Sequence, residues 1–69
     1  MTPTTRTYTV AGMTCDHCVM SVREEVGEIA GVDQVDVELA SGRLTVEGER
    51  FSDAQVATAV TEAGYEVVA

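Results

Sequence analysis

Apolar and polar residues alternate along four short stretches of the chain, and a helical period separates them. Thr7-Tyr8-Thr9-Val10 alternates and predicts a half-buried strand. Gly12 to Cys15 follows as a loop, with Gly12 as its punctuation. From Asp16 the period changes: Val19, Val22, Val26 and Ile29 fall within an arc of about 80° at 100° per residue, one core-facing helical stripe. Glu24, Glu25 and Glu28 lie off that stripe and predict a solvated face or, as a functional face, one that selects a partner with complementary positive charge. Gly27 is a mild cost late in the helix, and Gly31 is its predicted stop.

Val35, Val37 and Leu39 then alternate with Asp36 and Glu38, the clearest strand pattern in the chain. Ala40-Ser41-Gly42 supplies a turn, and Arg43-Leu44-Thr45-Val46 alternates again, which predicts an antiparallel hairpin. Ser52 with Gln55 three residues later reads as a capping box opening a second helix. That helix has a stripe of Val56, Ala59, Val60 and Ala63 and a Gly64 stop. Tyr65-Glu66-Val67-Val68 closes the chain as a short strand. The order is βαββαβ, which predicts an α+β, ferredoxin-like sandwich: a four-stranded antiparallel sheet with both helices on one face and a polar outer face.

With 69 residues, only a single domain (1–69) and one small core are expected, ordered from about residue 5 with loose first residues. A core this small leaves a metal or disulfide staple welcome. Twelve acids against four arginines, with no lysine, give a net charge of −8. Arg6, Arg23, Arg43 and Arg50 are scattered, so no basic patch exists for nucleic acid or an anionic membrane. No apolar run approaches a membrane span, and the N-terminal residues lack the apolar stretch of a signal peptide. The expected compartment is the cytoplasm, where thiols stay reduced.

Chemistry concentrates in Cys15-Asp16-His17-Cys18. A bridge between cysteines three apart closes a tiny loop and removes little chain entropy, so the pair is a poor staple. Cys18 falls in the first turn of the predicted helix, where unpaired N–H groups and the macrodipole favour a thiolate. Cys15 sits just before it, so both sulfurs can converge at an exposed point. Two thiolates without further obligatory ligands suit a soft, low-coordinate ion, above all Cu(I). Structural zinc wants four ligands, and here only a carboxylate, water or a second chain could complete the set. A lone C-x-x-C also occurs in thiol oxidoreductases, but their active-site proline has no counterpart near this pair; Pro3 is the only proline.

Gly12-Met13-Thr14-Cys15-x-x-Cys18 resembles the signature of heavy-metal-associated (HMA) domains. The resemblance runs from about Thr7 to Val68 and includes Gly31 to Val46 and Ala63-Gly64-Tyr65. It implies the same βαββαβ sandwich. It also implies membership of a group of soluble copper chaperones, N-terminal domains of copper-transporting P-type ATPases, and mercury- or zinc-handling relatives. Zinc-handling relatives often carry aspartate directly before the first cysteine, where Thr14 stands; Asp16 lies between the cysteines instead. His17 before the second cysteine, and Tyr65 in the loop facing the metal, resemble bacterial copper chaperones.

The expected metal ligands are therefore Cys15 and Cys18. Met13 is a thioether candidate, although the resemblance points it inward and a methionine in a small core is usually packing. His17 is either a third ligand or a solvent-facing imidazole that tunes the thiols. Asp16 favours the helix N-terminus while opposing thiolate formation. Tyr65 is expected to be half core and half lid, with its hydroxyl toward the site. Met20 points about 160° from Val22 at 100° per residue and should be exposed, as an ordinary surface residue or a partner contact. The expected function is a cytoplasmic carrier of Cu(I), not an enzyme. The expected acceptor is a copper-exporting P-type ATPase, with a copper-responsive repressor as another candidate. The carrier is expected to be a monomer able to form a copper-bridged homodimer. Read as an N-terminal ATPase domain, the chain would carry the same chemistry.

Overall fold

Six elements follow the expected order: β1 (Thr4–Ala11), α1 (Asp16–Gly27), β2 (Val32–Glu38), β3 (Arg43–Gly48), α2 (Asp53–Glu62) and β4 (Glu66–Val67). The computed structural model describes residues 4–68, and the loose first residues expected from the sequence fall largely on 1–3, outside the described residues. The four strands form one sheet in the order β2-β3-β1-β4, with every pairing antiparallel. This is the ferredoxin-like sandwich that the alternation predicts.

Registry explains the two faces of the sheet. Tyr8 pairs with Leu44 and Arg6 with Val46 across β1 and β3, while Val35 and Val37 pair with Val46 and Leu44 across β2 and β3. With a side-chain period of two, Tyr8, Val10, Leu44 and Val46 turn inward together. Thr7, Thr45 and Asp36 make a polar row on the opposite face. Val22 and Val26 of α1 and Val56, Ala59 and Val60 of α2 close the core from above.

Several element boundaries differ from the alternation pattern. β1 runs longer at both ends because β3 supplies partners back to Thr4↔Gly48 and β4 pairs Glu66 with Ala11. β2 starts earlier, at Val32, and Leu39 falls in the turn, where its carbonyl accepts the Gly42 N–H. The closing strand is only Glu66–Val67, paired with Ala11 and Val10, and the Val68 N–H then donates to the Thr9 carbonyl at 2.8 Å. α1 stops at Gly27 rather than near Gly31. Beyond it the Glu28 and Ile29 N–H groups bond back three residues instead of four, to Glu25 and Val26. Ile29 still packs on the core, but from a turn.

α2 is held at both ends by local chemistry. The Ser52 hydroxyl accepts the Gln55 N–H at 3.2 Å, and the Gln55 side chain accepts the Ser52 N–H at 2.9 Å, the reciprocal box the sequence predicts. Phe51, absent from the sequence-derived core, is buried just before the cap, as is Val56 at the fourth helical position. The two hold the positions of a hydrophobic staple. The Tyr8 hydroxyl donates to Asp53 at 2.7 Å, and Arg6 pairs with the same carboxylate. Burial and that carboxylate push the Tyr8 phenol up to about 12.

Candidate metal site

The site is a helix cap with its oxygen acceptors replaced by sulfur. Cys15 is the N-cap of α1, with extended backbone at φ −156° and ψ 172°, and Cys18 stands at the third helical position. At the same two positions α2 carries Ser52 and Gln55, whose side chains reach back to each other's backbone. That cap geometry brings the side chains of residues i and i+3 together. In α1 it sets the Cys15 and Cys18 sulfurs 3.4 Å apart, both as free thiols. The C-x-x-C spacing thus follows from the way a helix begins. Unlike Ser52, Cys15 makes no side-chain cap bond, so its sulfur stays exposed and free of the backbone.

β1 delivers the chain to this point, and Gly12 turns it at φ +94°. A Cβ on Gly12 would stand 3.3 Å from the Tyr65 ring, so the glycine leaves room for the tyrosine to cover the loop. Tyr65 is placed by the end of α2. Gly64, at φ +98°, lets the Tyr65 N–H reach the Val60 carbonyl and its own N–H reach Thr61, a Schellman stop. Tyr65 packs half-buried on the core, and the nearby Cys18 sulfur raises its phenol.

Cys18 carries the polarised thiol. The Thr14 backbone N–H, then the Tyr65 hydroxyl and the Cys15 thiol, pull its pKa from 9.0 to about 6, against a smaller burial effect. The same interaction raises the Tyr65 phenol, with desolvation and the two sulfurs adding to it. In a chain without lysine, backbone and hydroxyl donors do the work of an ammonium. A depressed thiol pKa stabilises the metal-free fold fully above the ordinary value of 9.0. That contribution is lost as pH falls through about 6. In the metal-free protein the Cys18 alkylation rate should therefore show a midpoint near pH 6, and Tyr65→Phe should move it upward. A wild-type midpoint near 9 would overturn this assignment.

The other singled-out residues divide clearly. Met13 is half-buried and packs against the core. Thr14 is exposed, its hydroxyl 3.9 Å from the Cys18 sulfur. Asp16 and His17 occupy the first helical turn and are exposed. Among the described residues no three His, Cys, Asp or Glu side chains converge as a metal cluster. Met20 is 55% exposed on α1, as its helical phase predicts. The backbone donor at Thr14 was not visible in the sequence. A loop's N–H directions depend on dihedral angles, not on residue types.

With this geometry in view, comparison with known proteins is informative. The heavy-metal-associated domain family matches residues 7–66, and the chain belongs to that family. It is 39% identical to the copper chaperone CopZ of Bacillus subtilis over 64 residues, covering 90% of this chain and 93% of that protein. It is 41% identical over 58 residues to a zinc/cadmium/lead-transporting P-type ATPase of Shigella sonnei, covering 84% of this chain but 8% of the transporter. A solved CopZ metallochaperone superimposes with a TM-score of 0.91 at 31% identity, covering 94% of this chain and all of that one. Among the described residues no helix is long and apolar enough to cross a membrane.

Proposed function

We propose that this protein is a cytoplasmic carrier of Cu(I), held by Cys15 and Cys18 and passed to a copper-exporting P-type ATPase. The observation that carries the reading is the pair of thiols 3.4 Å apart, Cys15 exposed and Cys18 half-buried, with no third ligand side chain converging on it among the described residues. Metal–sulfur bonds of about 2.3 Å span such a pair as a bent bridge, and opening the sulfurs toward about 4.6 Å makes the linear arrangement a soft ion accepts. The resemblance to copper chaperones supports the choice of cargo.

Exposure makes the cargo transferable. An incoming thiolate of the acceptor adds to the low-coordinate ion, giving a three-sulfur bridge, and one of the original bonds then breaks. One bond forms, one breaks, and copper remains Cu(I). Cys15, exposed and free of cap bonds, is the more accessible side of the pair, while the donors that stabilise the free Cys18 thiolate make it the better leaving group. A metal-binding domain or entry site of the ATPase receives the ion, a copper-responsive repressor is a second acceptor, and two copies share copper among four cysteines at high loading. The same site on an ATPase N-terminal domain would work by the same exchange.

Anaerobic titration with Cu(I) and separately Zn(II), followed by native mass spectrometry, tests the reading. One Cu(I) per chain, bound in preference to Zn(II), is the expected result. Preference for zinc would move the protein to the zinc-handling branch. Turnover of glutathione or insulin disulfides without metal would replace the carrier reading with a thiol oxidoreductase.

A further inference from the structure

Met20 and Val68 are the large apolar side chains left exposed among the described residues, and copper transfer through the cysteines uses neither. Met20 stands within α1 three residues beyond His17, which is exposed as well. Residues three apart on a helix are neighbours on one face, with Cβ atoms about 5–6 Å apart. A long helical side chain also leans toward the N-terminus and covers the turn before its own Cα. For Met20 that turn is the one holding Asp16 and His17, so thioether and imidazole share one patch of open surface. At 3.6 residues per turn Cys18 lies about 160° round the helix from Met20, which sets this patch apart from the thiols.

We propose that His17 and Met20 form a second, weaker site for a soft monovalent ion, Cu(I) or Ag(I), bound through an imidazole nitrogen and a thioether sulfur. Thioethers select soft ions, and imidazole suits copper. Neither donor carries a negative charge, so the ion keeps its own positive charge at this site, and the surroundings must accept it. Asp16 directly before His17 and Glu24 one turn beyond Met20 are exposed carboxylates, in a chain of net charge −8. Arg23 is the one cation of α1. A neutral donor pair holds a soft ion less tightly than two thiolates, so this site fills after the cysteines. Zinc, which wants four ligands, is not its ion. Met13 makes no second pair of this kind, since it packs half-buried on the core. The inference needs only His17 and Met20 and stands whether or not the cysteines carry copper.

The test removes the thiols, so its outcome is separate from that of the metal titration on the intact pair. Cys15→Ser/Cys18→Ser, with ¹³C-methyl methionine, is titrated with silver nitrate in chloride-free buffer. One Ag(I) per chain is expected, with the Met20 methyl and His17 ring resonances shifting together while the Met13 methyl stays in place. In that background Met20→Leu, which keeps an apolar side chain, and His17→Phe, which keeps a ring, should each weaken Ag(I) binding by at least about tenfold. In the chain with both cysteines the Met20 methyl should move only with the second equivalent. Unchanged affinity in either variant, or a shift of the Met1 methyl alone, would overturn the pair. Movement of the Met20 methyl with the first equivalent would merge it with the thiol site and overturn its independence. Equal shifts with Zn(II) would overturn the soft-ion assignment. Unchanged amide dispersion in each variant shows that its fold is intact.

Discussion

Cys15→Ser is expected to abolish Cu(I) binding while making the metal-free fold more stable. Serine at an N-cap accepts a backbone N–H from the first turn, as Ser52 does from Gln55 at 3.2 Å; the Cys15 sulfur makes no such bond. The change should raise the unfolding free energy by about 1 kcal/mol, read from urea denaturation under reducing conditions. A neutral hydroxyl is a poor ligand for a soft ion, so the affinity loss should far exceed the roughly 100-fold typical of losing an outer-shell partner. Cys18→Ser should lose copper equally. Retention of wild-type affinity by either variant would remove the two-thiolate site. α1 has thus given up a capping bond so that a sulfur can stay free, a local cost in stability at the point of function.

The second large effect lies beyond the other end of α1. Gly31→Ala should destabilise the protein by at least about 3 kcal/mol, a large share of the roughly 3–10 kcal/mol expected of a chain this size. At Gly31 φ is +92°, and an added Cβ would stand in hard contact with the Glu49 carbonyl oxygen. That oxygen is backbone and has no rotamer to swing away. The Glu49 N–H also donates to the Gly31 carbonyl at 2.7 Å, and a Cβ on Gly48 would run into the same carbonyl, so the two connections cross backbone to backbone. Gly27→Ala is the control, with open space around it and ordinary backbone. It should be neutral or slightly stabilising. A wild-type denaturation midpoint for Gly31→Ala would show that this crossing can relax.

Gly31 marks where sequence reading stopped short. Glycine after an apolar stripe reads as a helix stop, because that is where a left-handed residue usually falls. The helix had already ended four residues earlier, and the glycine serves a contact with a segment eighteen residues away. Phe51 is the opposite case. Its staple position before the Ser52 cap was present in the sequence, yet a lone aromatic in no periodic run carries no signal of its own. Gln55, by contrast, was legible because its partner lies three residues away.

The sequence alone determined what is periodic or local: the βαββαβ order, the inward rows of valine and leucine, the α2 capping box, and the two cysteines at a helix start. Each depends on spacings of two, three or four residues, which the backbone turns directly into shared faces. The tertiary structure alone decided what lies between distant segments. It placed the Tyr65 hydroxyl from the end of α2 over a sulfur in α1, and turned the Thr14 N–H onto the same atom. It also crossed Gly31 over Glu49. Those contacts depend on how the layers pack and on dihedral angles in loops, and neither is written in any run of neighbouring residues.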